Sequence, residues 1–185
     1  MQLGIIGLPQ SGKTTLFNAL TRGDVPTGIS GGRVEVHTAV VDVPDPRVDR
    51  LTEIFEPKKV VHAKVTYADI AGLEGKSAEK GISGPLLNTL SQMDGFIHVV
   101  RAFTNPSVPH FAGSVDPLRD LSTMETDLIL NDLILVERKL QRLMEEKQRG
   151  GIGRDKGIVE RETELFEKLQ SLLSEEIPLR NETFT

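Results

Sequence analysis

The residues best suited to chemistry stand near the start of the chain, where Gly7 to Thr14 read GLPQSGKT. Small residues followed by Gly-Lys-Thr are typical of a Walker A loop, which surrounds the phosphates of a nucleoside triphosphate. Backbone N–H groups of such a loop point at the phosphates, and the positive end of the next helix favours their negative charge. The pattern therefore predicts a phosphate-binding site.

Roles within this loop follow from side-chain chemistry. Lys13 is expected to reach the β- and γ-phosphates, and the hydroxyl of Thr14 is expected to be a ligand of Mg²⁺. The other nucleotide-binding residues predicted here are Pro9, Gln10, Ser11, Gly12 and Thr15.

A phosphate loop needs a strand before it and a helix after it, and the sequence supplies both. Residues 3–6 are an apolar stretch of strand length, and the apolar residues at 16–20 fit a helix that begins at Thr14. Further strands are predicted at residues 34–43, 60–68 and 95–103, with a short helix at 45–55 that Pro57 closes. Alternating strands and helices indicate an α/β fold with helices on both faces of a sheet.

A second motif follows the predicted strand at residues 60–68, where Asp69-Ile70-Ala71-Gly72 reads DxxG. In nucleoside-triphosphate switches, a carboxylate here holds Mg²⁺ and the glycine amide bonds the γ-phosphate. The tetrapeptide is common, and an aspartate at a strand end is often only a turn or helix cap. Its place at the carboxyl end of a neighbouring strand favours Asp69 as a metal ligand and Gly72 as a nucleotide contact.

Longer segments carry a resemblance to a known family. GLPQSGKTTLFNALT, VVDVPDPRVDRL, ADIAGL, HVVRAF and VDPLRDLSTMETDLILNDLILVERKL together resemble the Obg-like ATPase (YchF) family of translation-factor-class P-loop NTPases. The resemblance covers the chain to about residue 179. It implies a GTPase-type fold, Mg²⁺-dependent binding and slow hydrolysis of ATP or GTP, a family preference for ATP, and association with ribosomes.

The chain departs from the family pattern at the first switch. Where the family carries a threonine, alignment on VPDPR places Arg33, so magnesium would lack its usual second hydroxyl. Thr38 lies nearby but fits a strand, and Ser30 or Thr27 would reach the metal only through a shift of the loop. Whether Arg33 disables the metal site is left open by the sequence.

Hydrolysis also needs a group that orients the attacking water. Leu73 follows the DxxG glycine at the position where Ras-like enzymes carry a glutamine, and the family shares this apolar replacement. The catalytic residue is therefore unknown from the sequence. His37 is a candidate because it lies close to the first switch, although a lone histidine in a strand is often structural.

Residues 122–177 have a different periodicity. Apolar residues recur at steps of four and three on both sides of the glycine-rich segment 149–154, which predicts two amphipathic helices folded as an antiparallel coiled-coil hairpin. The repeating positions are Ile129, Leu133, Val136, Leu140 and Leu143, then Ile158, Glu162, Leu165, Leu169 and Leu172, of which Glu162 alone is polar. The family that the chain resembles has such an insertion in its nucleotide domain.

The turn of this predicted hairpin is basic. From Arg138 to Arg161 there are eight Lys or Arg residues and four Asp or Glu residues, within a chain of net charge −5. A solvated helix surface is the simpler interpretation, and contact with RNA phosphates of a ribosome is the functional one. The tip residues that would make this contact are Arg149, Arg154 and Lys156.

Three parts are predicted: an amino-terminal portion of a P-loop nucleotide-binding domain at 1–121, the helical insertion at 122–177 and a tail at 178–185. The family's base-reading motif, its last sheet strands and its carboxyl-terminal TGS domain are not found, which predicts a truncated form with an incomplete sheet. Little discrimination between ATP and GTP is then expected. The alternative function is a binding module, whose hairpin docks on a ribosome or protein partner with little nucleotide turnover.

Composition limits the remaining classes. The absence of cysteine excludes a disulfide framework, and a hydrophobic share of 38% without a long apolar run excludes a transmembrane span. No signal peptide precedes the first predicted strand, so a cytoplasmic location is expected. The net charge of −5 argues against a protein that coats nucleic acid nonspecifically.

Overall fold

The computed structural model describes residues 1–27, 36–70, 84–148 and 155–184. These residues form two compact units. The described residues up to Asp120 make up the first unit, and those from Leu121 onward make up the second. The first unit contains a sheet with helices, and the second contains a pair of packed helices.

Four strands form the sheet of the first unit. They are β1 (Gln2–Ile6), β2 (Val36–Asp42), β3 (Lys64–Ile70) and β4 (Gly95–His98), in the order β2-β3-β1-β4. β1 pairs in parallel with β3 and β4, whereas β2 pairs antiparallel with β3. Parallel pairing places the carboxyl ends of β1, β3 and β4 at one edge, which is where open α/β sheets bind ligands.

The inner strands form the core of this unit. Ile5 and Ile6 of β1 and Ile70 of β3 are at most 1% exposed. Helix α1 (Lys13–Thr21) lies against β1, β2 and β3 and buries Phe17. Consecutive buried residues at the ends of β1 and β3 are typical of strands that are covered on both faces.

Two further helices belong to the first unit. α2 (Pro46–Phe55) begins after Asp45, whose carboxylate accepts a hydrogen bond of 2.9 Å from the backbone N–H of Arg47. Such a cap, followed by proline at the first helical position, is a strong helix start, as the sequence predicts. α3 (Gly84–Ser91), which precedes β4, has no counterpart among the predicted elements.

The start of β3 differs from the prediction. The strand begins at Lys64 rather than at residue 60, and Val60 and Val61 are 39% and 65% exposed. Their β-branched side chains fit a strand by local preference, but that preference depends on neighbours that bury the side chain. Strand propensity was therefore overridden by the lack of burial at these two positions.

The end of β4 also differs, because the strand stops at His98 rather than at residue 103. Beyond it, the guanidinium of Arg101 donates to the backbone oxygens of Phe103 at 3.1 Å and Val108 at 2.7 Å. These bonds hold the chain in a local turn. A buried charged side chain that satisfies nearby carbonyls thus replaces the predicted strand continuation.

The second unit is built mainly from two helices. α4 (Pro117–Gln148) starts within the first unit and continues into the second, and α5 (Lys156–Ser174) begins at the Asp155 cap. Their apolar contacts involve Val136, Leu140 and Leu173, surrounded by Ile129, Leu133, Phe166, Leu169 and Leu179. No helix in the four described ranges is long and apolar enough to cross a membrane.

Side-chain contacts show that α4 and α5 run antiparallel. Lys139 Nζ lies 3.2 Å from a carboxylate oxygen of Glu162 and 5.8 Å from the ring centre of Phe166. Farther from the connection, Glu125 near the start of α4 forms an ion pair with Arg180, which follows α5. The two predicted amphipathic helices are therefore present, while the coiled-coil form of their packing stays a prediction.

Candidate nucleotide-binding site

The predicted phosphate loop connects β1 to α1 at the carboxyl edge of the sheet. Gln10 and Gly12 have φ angles of 59° and 103°, in the left-handed region of backbone conformation. Glycine adopts this region freely, whereas Gln10 does so at a cost that the loop must offset. Alternating right- and left-handed residues form concave nests of backbone N–H groups, which bind anions.

Gly7 cannot be replaced without moving its neighbours. Its φ is 151°, and an added Cβ would lie 2.3 Å from the carbonyl oxygen of Val99. The N–H of Val99 also donates to the oxygen of Ile6 at 2.8 Å. The chain that follows β4 therefore lies directly against the start of the phosphate loop.

Lys13 is held inside the loop and is 7% exposed. Its Nζ donates to the backbone oxygens of Gly7 at 2.9 Å and Leu8 at 3.0 Å. The N–H of Ser11 donates to the same Leu8 oxygen at 3.3 Å. The loop therefore folds around the ammonium group and keeps it at the end of β1.

Thr14 and Asp69, the two predicted metal ligands, are brought together. Thr14 Oγ1 donates to Asp69 Oδ2 at 2.6 Å, although the residues are 55 positions apart. They meet because β1 and β3 are neighbours, with Ile5 opposite Asp69. Asp69 is 1% exposed, and its Oδ1 has no hydrogen-bond partner among the described residues. A buried carboxylate oxygen beside a hydroxyl fits the hard oxygen ligands that Mg²⁺ prefers.

His37 lies beside this carboxylate in the sheet. It stands opposite Asp69 in the antiparallel β2–β3 pair, and directly opposed residues place their side chains on the same face. Thr38 stands opposite Ala68 instead, so its side chain belongs to the other face. His37 therefore stays a candidate for orienting the attacking water. The Thr38 side chain lies on the opposite face from the predicted metal ligand Asp69.

Other residues of the sequence predictions have different placements. In the loop, Pro9 is half-buried and Thr15 is exposed, and Lys156 is exposed at the start of α5. Six positions lie outside the described residues, namely Ser30, Arg33, Gly72, Leu73, Arg149 and Arg154. The roles given to them remain predictions.

A polar cluster behind the phosphate loop was not predicted. Arg101 and Asp120 are 2% and 3% exposed, and the His110 side chain is also buried. Together with Leu8, Pro9, Ser11, His98, Val99 and Val100, they line a depression in the surface. The HVVRAF and VDPLRD segments contain two of these charges, Arg101 and Asp120. Charged residues are mostly exposed, so their burial had no sequence signal.

Hydrogen bonds define the tautomer of His110 and lower the pKa of Asp120 in this cluster. Asp120 Oδ2 lies 2.8 Å from His110 Nε2, and His110 Nδ1 accepts the N–H of Ala112 at 3.1 Å. Because Nδ1 accepts, the proton is assigned to Nε2, which donates to the carboxylate. Burial raises the pKa of Asp120, but the hydrogen bonds from Arg119 and His110 outweigh burial and leave that pKa below its usual value.

Comparison with known proteins identifies the family. A sequence model of the 50S ribosome-binding GTPases matches residues 2–139, which is most of the chain. The chain belongs to this family. Its phosphate loop and the neighbouring Asp69 both lie within the matched residues.

Two curated relatives agree with the resemblance to Obg-like ATPases. The ribosome-binding ATPase YchF of Bacillus subtilis is 37% identical over 184 residues, which cover 98% of this chain and 49% of the relative. Obg-like ATPase 1 of Oryza sativa subsp. indica is 37% identical over 177 residues, covering 95% and 44%. The chain thus spans about half the length of the curated relatives it matches.

A solved structure supports the same fold. The YchF GTPase of Schizosaccharomyces pombe superposes with a TM-score of 0.77 at 34% identity, covering all of this chain and 50% of that one. The predicted P-loop GTPase class of α/β fold is therefore confirmed. The sheet is mixed because of the antiparallel strand β2.

Proposed function

We propose that the chain binds the magnesium complex of ATP or GTP at the phosphate loop and hydrolyses it slowly, as a ribosome-associated switch. The hydrogen bond of 2.6 Å between Thr14 and Asp69 carries this proposal. It joins the two separate motifs at one point, next to the loop that surrounds the Lys13 ammonium. Convergence of this kind is not expected from chance matches to either motif.

Phosphate binding would use the loop and Lys13. The nest around Gln10 and Gly12 offers backbone N–H groups, and Lys13 would exchange the oxygens of Gly7 and Leu8 for phosphate oxygens. Because an ammonium is a compact cation with three donors, this exchange needs little movement of its nitrogen.

Magnesium would be held by Thr14 and Asp69. Mg²⁺ usually takes one or two protein ligands and completes its shell with water and substrate phosphates. When bound, it neutralises charge on the β- and γ-phosphates during transfer. The backbone N–H of Gly72 would bond the γ-phosphate. His37, on the same face of the sheet as Asp69, would help to orient the attacking water.

Ribosome association is proposed from the relatives and from charge. The matching family model and the YchF relative from Bacillus subtilis are both named for ribosome binding. Residues 138–161, around the connection between α4 and α5, contain eight Lys or Arg against four Asp or Glu. Arg149, Arg154 and Lys156 would contact RNA phosphates there. With a ribosome as partner, the proposed location is the cytoplasm.

Isothermal titration with Mg-ATP and Mg-GTP tests the nucleotide site. Lys13→Ala should weaken binding at least about thirtyfold, because loss of a buried charged partner typically costs about 2–5 kcal/mol. Lys64→Ala is the matched control, because that lysine side chain is 60% exposed on β3. Equal affinities of the wild-type and Lys13→Ala chains would contradict the proposal.

Ribosome co-sedimentation of the same variants separates a switch from a simple binding module. A switch should change its ribosome affinity when Mg-ATP is added, and Lys13→Ala should remove that change. A chain that binds ribosomes equally well with and without nucleotide, in both forms, would instead be a binding module whose helices make the contact.

A further inference from the structure

The segment between β4 and α4, residues 99–116, has no helix or strand but contains buried polar groups. We call it the connecting segment. Two of its aromatic side chains, Phe103 and Phe111, are 56% and 50% exposed. These two phenylalanines are therefore only about half-buried, and specific hydrogen bonds help to hold the course of the segment.

One end of the connecting segment lies against the phosphate loop. The Val99 oxygen lies 2.3 Å from the position that a Cβ on Gly7 would take, and Arg101 lines the same depression as Ser11. Ser11 is 5% exposed, and its Oγ has no hydrogen-bond partner among the described residues. A displacement of the loop would therefore act directly on this end, because close-packed atoms transmit movement.

The middle of the segment is held by Arg101. Its guanidinium donates to the backbone oxygens of Phe103 and Val108. These bonds hold the two sides of the turn, around Phe103 and around Val108, to each other. A planar fork of donors permits few alternative geometries, so the two sides move together.

The other end of the connecting segment is hydrogen-bonded to the first turn of α4. His110 donates to Asp120, whose second oxygen accepts Arg119 Nη2 at 2.8 Å. The same Nη2 donates to the backbone oxygen of Ser114 at 2.7 Å. Asp120 thus ties both the connecting segment and the neighbouring arginine to the start of this helix.

We propose that His110 and Asp120 are positioning residues that couple the occupancy of the phosphate loop to helix α4. The proposal rests on the nucleotide site proposed above. Gly7 and Leu8, which would release Lys13 to the phosphates, are also residues that adjoin the connecting segment. Their rearrangement would pass through Val99 and Arg101 to the His110–Asp120 pair.

A buried hydrogen-bonded pair such as His110 and Asp120 transmits a movement to α4 better than an apolar contact would. Buried hydrogen-bonded charges have defined geometries, and an incompletely satisfied arrangement is costly, so the pair favours discrete positions. Asp120 lies in the first unit, and the same helix continues through the second. A shift at its first turn would therefore reach residues beyond Leu121 along a continuous backbone.

Hydrogen exchange of the whole chain with and without Mg-ATP tests this coupling. In the wild type, amide exchange at residues 121–131 should change by about tenfold on nucleotide binding, a typical size for coupling between sites. Asp120→Asn should bind Mg-ATP within about threefold of the wild type in isothermal titration but lose the exchange change. Asp132→Asn, an exposed aspartate on the same helix, should keep it.

Arg119→Gln is a second variant. The Arg119 side chain is 36% exposed, so its replacement should disturb the fold less than the replacement of Asp120. This variant should also lose the nucleotide-dependent change. The coupling is overturned if either folded variant keeps the full change, or if the wild type binds nucleotide without any change in α4. If the wild type does not bind Mg-ATP in the titration, the proposed nucleotide function fails first, and the coupling falls with it.

Discussion

Lys13, Asp69 and Asp120 are each at most 7% exposed, so their charges depend on hydrogen bonds within the protein. A buried charge that loses its partner costs much more than a surface charge does. Substitutions at these residues should therefore have effects specific to the contact that each one makes.

Replacing Asp69 with asparagine tests the metal ligand. The amide keeps the size of the carboxylate but removes its negative charge, so the benefit of Mg²⁺ for ATP binding should fall at least tenfold, by about 1.4 kcal/mol. Titration with ATP in the presence of Mg²⁺ and of EDTA measures that benefit. Asp42→Asn, at an exposed aspartate of β2, is the matched control. An unchanged magnesium effect in Asp69→Asn would exclude this carboxylate as a ligand.

Acid should weaken the first unit through Asp120. Because the folded-state pKa of this carboxyl is lowered, its stabilising contribution is present above the unfolded-state pKa and is lost as pH falls through the lowered value. Denaturation midpoints should therefore fall from about pH 4 downward, and Asp120→Asn should show a smaller fall over this window. Midpoints that fall in parallel for both proteins would assign the acid sensitivity to other carboxylates.

The predicted metal ligands could be paired from the sequence, whereas the buried pair behind the phosphate loop could not. Thr14 and Asp69 could be paired in advance, because fixed motifs after neighbouring parallel strands must meet at one sheet edge. His110 and Asp120 could not be paired in that way, since their contact depends on the irregular course of the connecting segment. No periodicity or motif determines that course.

At the level of elements, periodicity was a good guide where it extended over several turns. It predicted α4 and α5, while α3 was missed because eight residues barely show a helical period. The shorter α2 was predicted instead from its Asp45-Pro46 start and from Pro57 after its end. Strand ends were less accurate at Val60 and after His98. There, contacts with the rest of the fold decided where pairing stopped.

The pairing of α4 with α5 should depend strongly on Leu140, which is 3% exposed in their shared core. Leu140→Ala should destabilise the second unit by about 2–5 kcal/mol, from lost burial and the cavity that remains. Leu135→Ala is the control, because that leucine is 43% exposed on the same helix. Chemical denaturation followed by helical circular dichroism measures both. Equal losses would mean that α4 and α5 do not use this core in solution.

For the whole molecule, the distribution of charge matters more than its total. The chain carries a net charge of −5, yet residues 138–161 are basic by four charges. A uniformly acidic protein would be repelled by RNA, whereas a local cationic segment can bind phosphates while the rest keeps the protein soluble.

Salt should therefore weaken ribosome binding in a measurable way. Each lost phosphate contact lowers the logarithmic salt slope by about 0.7–0.9, so replacing Arg149, Arg154 and Lys156 with glutamine should lower it by about 2. The matched control replaces Lys58, Lys59 and Lys64, which are exposed in the first unit. Co-sedimentation from low to high salt gives the slope. A control with the larger effect would place the RNA contact on the first unit.

The enclosed ammonium of Lys13 has a consequence for covalent labelling. A soluble acylating reagent must approach the nitrogen directly, and the folded phosphate loop blocks that approach while two backbone oxygens engage the group. Lys64, whose side chain is 60% exposed, should be acylated much sooner. A nucleotide analogue that carries its acyl group on the terminal phosphate should reverse this order, because it would deliver the reactive carbon to Lys13 from inside the loop.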